Sequence, residues 1–435
     1  MEIPFTAHQL DNGLDVLVHE DHDCPIVAVN VWYHVGSKNE TPGRTGFAHL
    51  FEHLMFEGSQ HYDRGFFHPL QEAGASLNGS TNADRTNYWE VVPKNALELA
   101  LWMESDRMGY LLPALTAAKF DNQRDVVLNE RRQNYENRPY GLAGMALMAA
   151  LYPPEHPYHW LTIGAAEDLR AAKLEDVKAF FQSYYRPGNA SIAVAGDVDT
   201  TEVLVLVDDY FGEIDGGEAP AFKPPRVSPP AGEIRLLHED RVELPRLYLA
   251  WLSPALFGED DAELDLVADL LSSGKTSRLY RSLVYEQRIA TEIAASQNSR
   301  EAGGFFQVAA TAAPGRTLAE LDRAITAEID AIAAKGPLEA EMERALAQAE
   351  AHFIYRLQTV GGFGGKSDQL NAYNMFLGDP GFFQRDLDRY RTVTPDALKR
   401  ATADWLQPNR RVALSVVPRG RIALGLPDSQ PVNVS

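Results

Sequence analysis

Short apolar runs at 14–18, 26–35 and 246–252 carry the pattern of strands, and between them the apolar spacing lengthens to the helical period. Residues 45–59 read TGFAHLFEHLMFEGS; Phe47, Leu50, Phe51, Leu54 and Met55 recur every three to four positions, which predicts a helix with Gly58 as its stop. A second helix is predicted within 116–137, capped by Thr116, with Phe120, Gln123, Val127 and Glu130 along one face. The pattern breaks over 215–233, where Gly216, Gly217, Pro220, Pro224, Pro225, Pro229, Pro230 and Gly232 predict an extended linker. The linker separates 1–214 from 234–435, two pieces of ordinary domain size. Each piece opens on a strand pattern and closes alike: Tyr185-Arg186-Pro187-Gly188-Asn189 runs into Ile192–Ala195, and Trp405-Leu406-Gln407-Pro408-Asn409 runs into Val412–Val416. The expectation is two homologous α+β domains, each an antiparallel-rich sheet with helices packed on one face.

Composition narrows the partners. A net charge of −21 argues against nucleic acid or an anionic membrane surface as a ligand. No run approaches the roughly 18–20 consecutive apolar residues of a membrane span, and residues 1–5 show no secretory-signal pattern. The compartment stays open between a bacterial-type cytoplasm and periplasm. Cys24 is the only cysteine, which rules out an internal disulfide and a cysteine metal cage. Any metal must be held by histidines and carboxylates.

The helix in 45–59 supplies them. His49 and His53 stand four apart, so both imidazoles leave the same face and can converge on one ion. Glu52 flanks that face and is placed to act as general base on a metal-activated water. This is the H-x-x-E-H pattern of inverzincins; its bland alternative is two histidines on a half-buried helix. A catalytic zinc needs a third protein ligand. Glu130 lies on the inward stripe of the second helix, where a carboxylate is costly without a cation or a metal. Glu136, further round the same helix, reads as a solvated charge.

HLFEH followed 77 positions later by Glu130 resembles the pitrilysin and insulinase family, which includes the mitochondrial processing peptidases. Further matches are Asn78-Gly79-Ser80-Thr81 before Thr86-Asn87-Tyr88, His156-Pro157-Tyr158 with Ile163-Gly164, the turn at 185–189, and Gly274–Tyr280. The resemblance spans nearly the whole chain. It implies a metal-bearing first domain, one Zn2+ on His49, His53 and Glu130, and a chamber for unfolded peptides. It also implies an edge strand at 75–78 that pairs with substrate main chain through Ser76, Leu77 and Asn78. By local sequence alone, Asn78 before Gly79 is an ordinary turn residue.

Two departures stand out. The family often has a second glutamate seven residues before the ligand; here that position is Gln123, whose amide can hydrogen-bond a metal ligand or the water but adds no negative charge. Single-chain and homodimeric relatives carry an Arg and a Tyr in the second domain, and the comparable glycine-rich stretch 358–366 has no such Arg. That implies a dimer in which a homologous Arg/Tyr-bearing subunit completes the site. The competing reading, a non-catalytic partner subunit, fits poorly with an intact H-x-x-E-H; a zinc hydrolase of non-peptide amides leaves the edge strand unexplained. A His-His-Glu set also accepts manganese or cobalt. Gly274-Lys275-Thr276 lacks the first glycine and the strand of a phosphate loop. His61, His68, His156 and His159 read as surface or capping residues, and Arg278 and Tyr280 as packing residues at a subunit or domain contact.

Overall fold

The computed structural model describes residues 1–218 and 220–434; within the linker stretch, Ala219 lies outside the described residues. The chain forms two compact units. The first comprises 1–129, 162–223 and 352–385; the second comprises 130–161, 224–351 and 386–435. Each unit therefore contains a segment from the other half of the sequence, which the apolar pattern did not announce.

In the first unit, β1 (Thr6–Gln9), β2 (Asp15–Glu20), β3 (Ile26–Tyr33), β4 (Ser76–Thr81), β5 (Thr86–Pro93) and β6 (Ala190–Gly196) form one sheet in the order β1-β2-β6-β3-β5-β4. β6 runs parallel to β2, and the other pairs are antiparallel. In the second unit, β7 (Ile234–Asp240), β8 (Arg246–Ser253), β9 (Ala290–Asn298), β10 (Gly304–Ala312), β11 (Arg411–Pro418) and β12 (Gln430–Pro431) follow the order β12-β7-β11-β8-β10-β9. There β11 runs parallel to β7 and antiparallel to β8. The two closing motifs of the sequence enter the equivalent strands β6 and β11 through short 3-10 turns, Pro187–Asn189 and Pro408–Arg410. The units thus share one plan, as the repeated pattern predicts.

The central strands β3, β6, β8 and β11 are buried almost from end to end. Continuous burial means that both sheet faces are covered, which adds a layer to the expected one-sided arrangement. In the first unit the helix Leu97–Ala114 packs on β3 and β5, while the helix Lys366–Leu377 packs on β6 and β3. Asp368 on the latter accepts from Asn30 Nδ2 (3.2 Å), Trp32 Nε1 (2.9 Å), Asn87 Nδ2 (3.2 Å) and the Gly364 N–H (2.7 Å). The glycine-rich stretch before it lies against the same sheet: a Cβ on Gly361 would sit 2.5 Å from Ala28 Cβ, and Phe363 meets Trp89 edge-on.

In the second unit, Leu247, Leu249 and Trp251 of β8 join a core with residues of the helices Asp261–Ser272 and Leu318–Lys335. The helix Ala143–Leu151 packs on β8 and β11. Arg278 is held within this unit, its Nε and Nη2 donating to the two oxygens of Glu341 at 2.8 and 2.6 Å. Asp265 accepts from the Tyr390 hydroxyl at 2.6 Å, yet burial, reinforced by Asp261 and Asp269, pushes its carboxyl up to about 7. Its folded value lies above its ordinary 3.8, so its contribution is fully present in acid and is lost as pH rises through about 7. Asp265→Asn should therefore gain stability over wild type by up to about 1.4 kcal/mol per pH unit across that window, levelling off above it. Urea melts at pH 5 and pH 8 check this; a gain that is equal at both pH values contradicts it.

Candidate metal centre

The helix Phe47–Leu54 buries Phe47, Ala48, Leu50, Phe51 and Leu54 and leaves His49, Glu52 and His53 half-buried. It stops at Leu54, short of the expected glycine; Gly58, at φ 106°, turns the chain after it. The two imidazoles stand at right angles with centroids 4.9 Å apart.

The helix begins without a side-chain cap at Gly46, so its first N–H groups need another acceptor. Glu40 provides it: its two oxygens accept from the N–H groups of Gly46 (3.0 Å) and Ala48 (2.9 Å). Negative charge at a helix N-terminus is also favoured by the helix dipole. Thr45 is fixed from the other side, its N–H and hydroxyl both donating to Asp168. Glu40→Ala leaves two buried donors without this acceptor and should cost roughly 3 kcal/mol. Thermal melts would show the loss, and metal affinity should fall with it; unchanged melting contradicts the capping role.

Glu130 arrives on the helix Ala117–Arg131. The division between the two units falls inside this helix, after Asn129, so Glu130 rides on an element that belongs largely to the first unit. Thr116 Oγ1 accepts from the Lys119 N–H, the cap the sequence predicts. Gln123 donates to Glu57, just beyond the histidine helix, and Lys119 pairs with Asp63. These two ties fix the direction of the helix that carries Glu130. One ligand atom from each of His49, His53 and Glu130 lies within 4.8 Å of the others. Two imidazoles and a carboxylate converging in this way, each half-buried, match the donor set of three-ligand zinc sites with an open fourth position.

The hairpin of β4 and β5 stands beside the histidine helix. β4 is the edge strand of its sheet and packs on that helix. Ser76 and Asn78 are exposed, and Leu77 is partly buried. Asn78 Oδ1 accepts from the Gly79 N–H at 2.8 Å. A Cβ on Gly79 would meet Tyr88 of β5 at 2.9 Å and Phe56, just past the histidine helix, at 3.1 Å, so β4 needs a glycine there. Arg85, which the sequence reading did not single out, donates to Ser80 O and Oγ and lies in the field of Glu52.

Other sequence expectations resolve differently. His156 is fully buried rather than at the surface; it stacks on Tyr152 and accepts from the Tyr158 N–H, and burial lowers its pKa to about 4. His159 Nδ1 lies 2.7 Å from Tyr152 O, His61 pairs with Asp106, and His68 sits at the surface beside Glu72. Glu136 is exposed, as expected of a solvated charge, and also pairs with the buried Arg131. No helix among the described residues is long and apolar enough to cross a membrane.

Comparison with known proteins gives the family of the chain. The insulinase family (peptidase family M16) matches residues 15–156, and the peptidase M16 inactive domain matches residues 171–349. The chain is 30% identical to the zinc protease PqqE of Helicobacter pylori over 80% of this chain and 79% of that protein. It is 25% identical to an uncharacterised zinc protease of Streptomyces coelicolor over 94% and 88% of the two chains. The crystal structure of a protease from Helicobacter pylori superposes with a TM-score of 0.88 at 26% identity, covering 95% of this chain and all of that one. Pitrilysin shares the fold, with a TM-score of 0.76 at 19% identity, this chain spanning 45% of it. The chain belongs to the insulinase family of peptidases, peptidase family M16.

Proposed function

We propose that the chain is a zinc-dependent endopeptidase that hydrolyses unfolded peptides or short proteins. The observation that carries this reading is the convergence of His49, His53 and Glu130, with Glu52 on the same helix as the two histidines. The zinc-protease names of its relatives agree with it. His49, His53 and Glu130 would hold the ion. When bound, Zn2+ supplies Lewis acidity and draws the pKa of a water towards neutrality. Glu52 takes a proton from the attacking water and returns it to the departing amine nitrogen. The open edge of β4, at Ser76, Leu77 and Asn78, pairs with the main chain of an extended substrate. Gln123 acts indirectly, through Glu57, by holding the helix of Glu130 in place. A homologous second subunit contributes the Arg and Tyr that this chain does not offer in 358–366.

The non-catalytic alternative finds one point of support, the match of 171–349 to the family's inactive domain. That match covers the part of the chain after the candidate ligands, which fall within the match to the insulinase domain. The test is turnover of a quenched, unstructured peptide by the purified chain, alone and with a candidate Arg/Tyr-bearing partner. Activity should vanish on chelation and return with added zinc. A chain that takes up no zinc, or turnover indifferent to chelator, overturns the reading.

A further inference from the structure

Beyond Glu130 the helix widens into a π-helical turn, Arg132–Glu136, and Tyr140 follows with φ 61°. Both conformations are uncommon for ordinary side chains and gather at functional sites. The loop admits little change: a Cβ on Gly141 would lie 2.2 Å from Tyr135 O. This loop and β8 line an open cleft of about 550 Å3 within the second unit, formed by Asn134, Tyr135, Arg138, Tyr140, Arg246 and Tyr248 among others. Asn134 also donates to Glu130 Oε1 at 3.2 Å, so the cleft begins one hydrogen bond from a candidate ligand.

The charges around it favour an anion. Arg138 is exposed and forms no ion pair among the described residues. Arg246 is pinned, with Nε on Thr311 Oγ1 at 2.7 Å and its guanidinium 3.9 Å over the Tyr140 ring. Its acidic partner, Glu292, is 71% exposed and can be displaced by a ligand. Of the other nearby carboxylates, Asp240 is occupied by the N–H groups of Tyr140 and Arg241, and Glu130 accepts from Asn134 and stands in the candidate ligand set. Two guanidiniums facing one cleft stand out on a chain with a net charge of −21, and guanidinium forks suit carboxylates.

We infer that this cleft is a specificity subsite that takes a carboxylate of the peptide substrate through Arg138 and Arg246. The inference rests on the peptidase reading above. The carboxylate comes either from an Asp or Glu side chain near the scissile bond or from the peptide's C-terminus. The test uses the full-length chain and matched quenched peptides carrying Glu, Gln or Lys at each position flanking the cleaved bond, each as free acid and as C-terminal amide. Wild type should favour one carboxylate-bearing peptide over its neutral counterpart by roughly tenfold in kcat/KM. A Glu-over-Gln preference identifies the side chain, and an acid-over-amide preference identifies the terminus. Arg138→Gln should bring that ratio close to one, and Arg138→Glu should shift preference towards Lys. A wild-type ratio near one, or a ratio that survives both variants, overturns the subsite. Anisotropy binding of the same peptides to the Glu52→Gln chain separates the two readings. Carboxylate-selective binding by a chain whose wild type cleaves nothing sinks the peptidase and keeps the subsite; cleavage without selectivity does the reverse.

Discussion

Glu52→Gln should reduce kcat on an unstructured peptide by roughly 10³-fold while leaving zinc content unchanged. The substitution keeps the size and hydrogen-bonding reach of the side chain and removes only its capacity to accept a proton. General-base catalysis contributes about 10²–10⁴-fold in comparable sites, and in the proposed mechanism the same carboxylate serves twice, first towards water and then towards the amine. The imidazoles of His49 and His53 and the carboxylate of Glu130 are untouched, so the ion should remain. Single-turnover kinetics with parallel metal analysis decide the matter. Activity within tenfold of wild type would mean that another group is the base, and loss of zinc along with activity would recast Glu52 as a ligand.

Asp368→Ala should strongly destabilise the first unit. Asp368 is only 9% exposed, and its carboxylate gathers three side-chain donors from β3 and β5 as well as the Gly364 N–H. Alanine strands those donors in a buried interface at roughly 1–3 kcal/mol each, so a loss of about 4 kcal/mol is expected even if water reaches some of them. Asn at the same position keeps one acceptor oxygen and should lose about half as much. Urea unfolding followed by circular dichroism measures both. A loss below about 1 kcal/mol for alanine would show that the helix Lys366–Leu377 is held by its apolar contacts instead.

The candidate site was legible in the sequence wherever a helical period carried it. Four residues are a little more than one turn, so His49 and His53 had to share a face, and the inward stripe of 116–137 singled out Glu130. The strands β2, β3, β6, β8 and β11 were legible from apolar runs, and the like endings of the halves pointed to the common plan of two sheets. Groups that act across loops left no periodic mark. Glu40 caps the histidine helix from six residues ahead of Gly46, outside any helix pattern. Arg85 reads as an ordinary hairpin charge until its bonds to Ser80 are seen. His156 reads as a surface or capping residue because a lone histidine beside prolines gives no sign of the aromatic pocket that buries it. Nor could local pattern show that Asp368 engages residues of β3 and β5 more than 270 positions earlier, since that pairing exists only in the folded chain.

That last feature bears on how the protein emerges from the ribosome. All six strands of the first sheet have been synthesised by residue 196, but the helix Lys366–Leu377 that covers one face of it comes much later. At about 5–20 residues per second, the intervening stretch takes roughly 10–30 s to make. Throughout that time Asn30, Trp32 and Asn87 lack the carboxylate that will engage them. The nascent first unit therefore carries one uncovered sheet face until that helix is made, and its completion waits on translation of the second half.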